Sequence, residues 1–130
     1  MSPLLIGLFL GLANPSIFSV PIVHAEEKVW TVSELKAMAT SSAAHYKLSK
    51  RETIRMLKTI ECESGWSATS TSPTGDYGIS QINKEAHPEI TKEQMFDPVW
   101  SLDWTARHFS LGHQSMWVCY TNLYGGVKPP

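Results

Sequence analysis

A mostly α-helical single domain, interrupted by a loop or very short hairpin, is the fold class this sequence predicts. Three observations carry it. Two capping-box spacings, Thr31/Glu34 and Ser49/Glu52, open segments of helical apolar periodicity. Asp97-Pro98 supplies another start signal, an N-cap acid followed by proline at the first helical position. Between these segments the stretch "SATSTSPTGDYG" is rich in Ser, Thr, Gly and Pro and reads as loop.

The elements follow in order. In "TVSELKAMATSSAAHY", Leu35, Met38 and Ala39 recur at spacings of three and four, so one face of a first helix is apolar. In "SKRETIRMLKTIECESG", Ile54, Leu57 and Glu61 share one face of a second helix, and Met56, Ile60 and Glu63 share the neighbouring face. Gly65 is placed to end it. "ISQINKEAH" reads as a short helix, or as a turn followed by irregular chain. "TKEQMF" reads as a short helix capped by Thr91, "DPVWSLDWTARHF" as a longer one, and "HQSMWVCYTNL" as one last helix.

The chain has 130 residues, enough for one modest core. Charged residues make up 18% and the formal net charge is -1, so nucleic-acid binding has no electrostatic support. The basic residues of "KLSKRETIRMLK" fall at helical spacing and read as a solvated helix face. Residues 1–25 hold no Asp, Glu, Lys or Arg, carry the apolar run "LLIGLFLGL" and end in "VHA". They read as an export signal cut after Ala25, leaving residues 26–130 as the working domain, in the periplasm or secreted. The apolar run is too short for a spanning helix. In an exported chain Cys62 and Cys119 are expected to pair. Loop entropy puts the contribution of such a bridge at about 4 kcal/mol. The five histidines lack ligand spacing, so neither a metal nor another cofactor is expected.

Two carboxylates bear on chemistry. Glu63 falls in the last turn of the second helix, where the partial negative charge of the helix end and neighbouring apolar groups raise a carboxyl pKa. Trp66 is positioned to supply an apolar wall. A carboxyl of raised pKa is what a general acid needs near neutral pH. Asp76 follows across a Gly/Pro turn, and a carboxyl facing a helix-borne acid across a cleft is the arrangement of glycosidases. Spacing alone leaves both residues open to plainer readings, an exposed helix-end glutamate and a turn aspartate.

Four ordered motifs add to this. Glu63-Ser64, Ser72-Pro73-Thr74-Gly75, Gly78-Ile79-Ser80-Gln81-Ile82 and Phe96-Asp97-Pro98 together resemble the soluble lytic transglycosylase domain, related to goose-type lysozyme. The resemblance covers about residues 49–120 and implies a lysozyme-like fold with the loop at a cleft. It implies that Glu63 rather than Glu61 is the acid/base, and that Ser72, Gln81 and Tyr120 line the sugar site. At Tyr120 the family's Ala-Tyr-Asn-x-Gly motif is altered to "WVCYTN". "GDYGISQIN" also resembles c-type lysozyme, where the residue matching Asp76 is the second carboxylate. Tyr77, with Trp66, Trp104 and Trp117, is an aromatic for sugar stacking, although core packing is the preferred reading of Trp104 and Trp117.

The expected activity is cleavage of the β-1,4 bond between N-acetylmuramic acid and N-acetylglucosamine in peptidoglycan. A lytic transglycosylase would do this with Glu63 alone and leave 1,6-anhydromuramic ends. The alternatives are a hydrolytic lysozyme using Glu63 and Asp76, and a non-catalytic peptidoglycan-binding module. Glycan strands are the expected partner, with a place in an envelope-spanning assembly, and the chain is expected to be monomeric.

Overall fold

The computed structural model describes residues 28–126. The export segment expected over residues 1–25 lies outside them. Five helices and one two-stranded sheet follow one another: α1 (Val32–His45), α2 (Lys50–Ser64), β1 (Asp76–Tyr77), β2 (Ile82–Asn83), α3 (Lys92–Phe96), α4 (Pro98–Ser110), a 3-10 turn (Gln114–Met116) and α5 (Val118–Tyr124). The mainly helical class and the tiny hairpin agree with the sequence. Among the described residues no helix is long and apolar enough to cross a membrane.

The caps explain the boundaries. Thr31 and Glu34 close a complete capping box on α1. Ser49 caps α2 by accepting from the Glu52 N–H, but the reciprocal bond is missing. The Glu52 carboxylate is drawn away to Tyr120 and Gln114. Gly65 ends α2 in the left-handed conformation, at φ 60°. Asp97 caps α4 by accepting from the Val99 N–H, with Pro98 at its start.

α1 packs on α4 through small and apolar residues, Leu35, Ala39 and Ala43 against a face that includes Leu102, Ala106 and Phe109. Met56 and Ile60 of α2 join the same core, which Trp66, Ile79, Trp117 and Tyr120 complete. Burial of each large apolar side chain contributes on the order of 1.5–3 kcal/mol. Ile82, Ile90 and Met95 form a smaller cluster beneath the hairpin.

One open reading is decided and one expectation is corrected. "ISQINKEAH" is the turn rather than the helix, and the chain after it begins with the two residues of β2 because Ile82 and Asn83 pair with Tyr77 and Asp76. "HQSMWVCYTNL" is not one helix. Trp117 sits in extended backbone between the 3-10 turn and α5. That break lets the buried indole donate its Nε1–H to the Ser80 carbonyl at 2.9 Å, a bond an unbroken helix would not aim. The cysteines pair as expected, Cys62 at the end of α2 with Cys119 in the first turn of α5, 57 residues apart.

Candidate active site

The turn Gly78–Gln81 joins β1 to β2 and meets three other elements. Ser64 Oγ, at the last residue of α2, donates to the Ile79 carbonyl at 2.6 Å. Thr105 Oγ1 of α4 donates to Ser80 Oγ at 2.6 Å, and Trp117 holds the Ser80 carbonyl. The Gly78 N–H reaches the Ser70 carbonyl at 2.8 Å. Gly78 has φ 81°, and a Cβ there would stand 1.8 Å from the Met95 carbonyl oxygen, so only glycine fits. The end of α2 and the hairpin are thereby fixed relative to each other.

Glu63 projects from that helix end, half-buried, while Glu61 is exposed. The structure therefore separates the two glutamates that sequence spacing left together. Glu63 Oε1 accepts the Cys119 N–H at 3.1 Å. No hydrogen bond reaches Oε2 among the described residues. Burial pushes the Glu63 carboxyl above its ordinary range; the Cys119 N–H opposes this, and the negative charge of Asp76 adds to it. Of the two causes read from sequence, the apolar surroundings and the helix end, it is burial that is the main one. Trp66 lies on the Glu61 side, lining a surface groove with Lys36, Leu57 and Glu61.

Asp76 has the opposite environment. Ser72 Oγ and Thr74 Oγ1 donate to its Oδ2 at 2.6 and 2.8 Å. Asn83, its cross-strand partner, donates Nδ2–H to Oδ1 at 2.9 Å. Burial pushes Asp76 upward, but the donors Ser72, Asn83 and Thr74 together outweigh it and hold the carboxyl below its usual range. Two carboxyls close enough for one charge to raise the other therefore titrate apart, one toward the acid and one toward the carboxylate.

The remaining expected site residues divide. Ser72 belongs to this cluster through its bond to Asp76, and it also accepts the Asp76 N–H at 3.1 Å. Gln81, at φ 51°, donates its amide to the carbonyls of Gly78 and Ser70, at 2.9 and 3.1 Å. It secures the hairpin to the preceding loop. Tyr77 does not share Asp76's face, because successive strand side chains alternate. Its ring packs edge-on against Phe96, with Lys92 Nζ 4.9 Å from the ring centre. Tyr120 turns its hydroxyl toward the other half of α2. It is buried, and its hydroxyl accepts from Arg55 Nη1 at 3.2 Å and lies near Glu52 in the first half of α2. Eight residues of helix separate Arg55 from Glu63, about 12 Å at 1.5 Å per residue. Trp117 is buried in the core and Trp104 half-buried beside it, at 5.8 Å between ring centres.

Sequence reasoning named Ser64 only as part of the Glu63-Ser64 motif, without its bond to the hairpin, and missed Thr105 and the Cys119 N–H. Hydroxyls that anchor a turn carry no periodic signal, and a backbone donor carries none at all. Asn83 was legible in part, since a tight turn after Asp76-Tyr77 places it opposite the aspartate. Among the described residues no group of three or more His, Cys, Asp or Glu side chains is placed to hold a metal ion.

No curated protein and no solved structure gives a significant match to the chain. A family model, described as the transglycosylase SLT domain, matches residues 38–116. The matched span runs from within α1 to the 3-10 turn, so it includes Glu63, Asp76 and the anchored hairpin but stops short of Cys119 and Tyr120. Over more than half its length, then, this chain belongs to the transglycosylase SLT domain family, whose activity in general is lytic cleavage of peptidoglycan.

Proposed function

We propose that the chain cleaves the β-1,4 bond between N-acetylmuramic acid and N-acetylglucosamine as a lytic transglycosylase, with Glu63 as its one acid/base. The observation that carries this is the contrast between the two carboxyls. Glu63 is half-buried, has its pKa raised and has one oxygen, Oε2, without a partner. Asp76 is committed to three donors. In this reading Glu63 protonates the glycosidic oxygen as the bond to the muramic C1 breaks. The substrate's N-acetyl group shields the developing cation. The Glu63 carboxylate then takes the proton of the muramic 6-hydroxyl, whose oxygen closes on C1. The product carries a 1,6-anhydro ring and no water is added. Asp76 keeps the hairpin in shape and provides a fixed negative charge beside the cation.

A hydrolytic second reading has one observation in its favour. Asp76 is held ionised near Glu63, as the second carboxylate of a retaining glycosidase must be. Asp76→Asn separates the two. Under the transglycosylase reading the variant still releases anhydro ends, and kcat falls by roughly tenfold through loss of charge and of hairpin order. A fall of a thousandfold or more, with reducing ends from the wild type, supports the lysozyme.

The pH dependence has a definite sign. Glu63 must be protonated to act as acid, and its pKa is raised, so activity holds up to a pH above the ordinary glutamate range. It declines as pH rises through the Glu63 pKa. Asp76 is lowered, so its ionisation is complete across that window. A rate profile of kcat/KM against pH checks this; an alkaline limb at the ordinary glutamate pKa contradicts the assignment.

The substrate places the work outside the cytoplasm, periplasmic or secreted. The export reading of residues 1–25 supports that location. A monomer serving an envelope-spanning assembly is the proposed setting.

A further inference from the structure

We propose that the Cys62–Cys119 bridge is a positioning device for Glu63: it holds the Cys119 N–H against Oε1 and leaves Oε2 as the oxygen that delivers the proton. This rests on the reading of Glu63 as the acid.

Cys62 immediately precedes Glu63, and its bridge ties the end of α2 to the first turn of α5. The first N–H groups of a helix lack acceptors within it. Trp117, at the N-cap position of α5, gives no side-chain cap. Glu63 Oε1 fills that role for Cys119, at 3.1 Å. One residue is therefore tied to α2 twice, through its sulfur to Cys62 and through its backbone nitrogen to Glu63. A carboxyl rotates freely about its last torsion unless one oxygen is fixed. With Oε1 accepting an N–H, protonation there would weaken that bond, since the hydroxyl oxygen of an acid is a poorer acceptor than its carbonyl oxygen, so the proton resides on Oε2.

A second tether works on the same segment. Trp117 is anchored by its indole to the Ser80 carbonyl, on the turn that faces α2. The chain from Trp117 to Cys119 is thus pinned to the hairpin at one end and to Cys62 and Glu63 of α2 at the other. A bridge serving only to staple the fold has no need to lie next to the acid. Cys62 is exposed and Cys119 partly so, and a reductant can reach them. Cys62 and Glu63 lie within residues 38–116 but Cys119 lies beyond them, so the α5 half of the clamp is outside the span that carries the family match.

Two perturbations test this. The first removes the bridge, either as Cys62→Ala with Cys119→Ala or by reducing the wild type with a phosphine. In that reaction the phosphine supplies two electrons to the S–S bond, one water supplies the two protons of the thiols and the oxygen, and the phosphine leaves as its oxide. The second keeps the bridge and replaces only the peptide N–H of Cys119 by an ester oxygen, through semisynthesis. The readouts are kcat, KM, the pH profile and the Glu63 carboxyl titration by carbon-13 NMR, all well below the melting temperature of each form.

The bridge-free forms are expected to lose at least about tenfold in kcat with KM little changed. The ester is expected to lose a similar factor. Its Glu63 titration and its alkaline limb both move to higher pH, because a donor to the charged form is gone while burial is retained. A melting temperature that falls while kcat and the profile stay as in the oxidised wild type overturns the proposal. So does an ester whose Glu63 titrates as before, and that readout decides even if the bridge-free forms do not fold. An inactive oxidised wild type, or a fully active Glu63→Gln, overturns the functional reading instead. The NMR titration then still reports whether the Cys119 N–H governs Glu63.

Discussion

Glu63→Gln is expected to lower the release of peptidoglycan fragments by roughly a hundred- to ten-thousandfold, the range of a positioned general acid–base. In this account Glu63 acts twice, donating one proton and removing another, so the upper part of the range is expected. Glutamine keeps the shape and the carbonyl oxygen that can accept the Cys119 N–H, so the fold persists. The sign of the stability change follows from the raised pKa. A carboxyl whose folded pKa lies above its unfolded value contributes stability that is full below the unfolded pKa and is lost as pH rises through the folded one. Wherever the pH exceeds the Glu63 pKa, the ionised, half-buried carboxylate is therefore a cost, which glutamine removes. The variant should bind glycan strands, cleave them negligibly, and melt at or above the wild-type temperature at pH 7. Activity within a factor of two of wild type removes Glu63 from the chemistry.

Gly78→Ala is expected to have the largest effect on stability. The added Cβ meets the Met95 carbonyl oxygen at 1.8 Å, a backbone atom that cannot swing aside. That carbonyl also accepts from Ser101 Oγ at 2.8 Å, so moving it disturbs the junction of α3 and α4. The φ of 81° adds strain for any residue with a side chain. Together these give a loss of about 3–5 kcal/mol, a large part of a small domain's stability. Thermal unfolding should show Tm lowered by more than about 10 °C. The disturbance reaches the candidate site, because Gly78 opens the turn that Ser64, Thr105 and Trp117 fix. Activity should fall even below the new Tm. An alanine variant that melts with the wild type contradicts the close approach of the hairpin to α3.

Much of the fold was legible because it is written in local chemistry. Thr31, Ser49, Thr91 and Asp97 cap helices where their hydroxyl or carboxyl groups can accept a nearby N–H. Leu35, Ala39, Met56 and Ile60 fall on the buried faces that helical periodicity assigns. What was not legible is set by distant contacts. The last helix breaks at Trp117 because its indole is drawn to Ser80, 37 residues earlier. Glu52 completes no capping box because Tyr120 and Gln114 compete for its carboxylate. Ile54 was expected on a shared face with Leu57, yet it is 46% exposed, since α2 turns its Met56 face inward.

The site divides in the same way. Glu63 was placed from its helix end and from the family motif, and its raised pKa has burial as the main cause. Ser72 and Asp76 do meet, as a short loop requires. Tyr120 was carried over from an altered motif, and a buried contact with Arg55 and Glu52 occupies it instead. Tyr77, next to Asp76 on a strand, faces the other way.

The central claim is that one carboxyl, Glu63, cleaves glycan strands without water. Purified peptidoglycan digested with residues 26–130, with the Glu63→Gln protein as control, gives the direct reading by mass spectrometry of the released fragments. The account predicts 1,6-anhydromuramic ends, lighter by one water than hydrolysed ends, and none from the control. Reducing muramic ends from the wild type contradict it and move Asp76 from a structural to a chemical role.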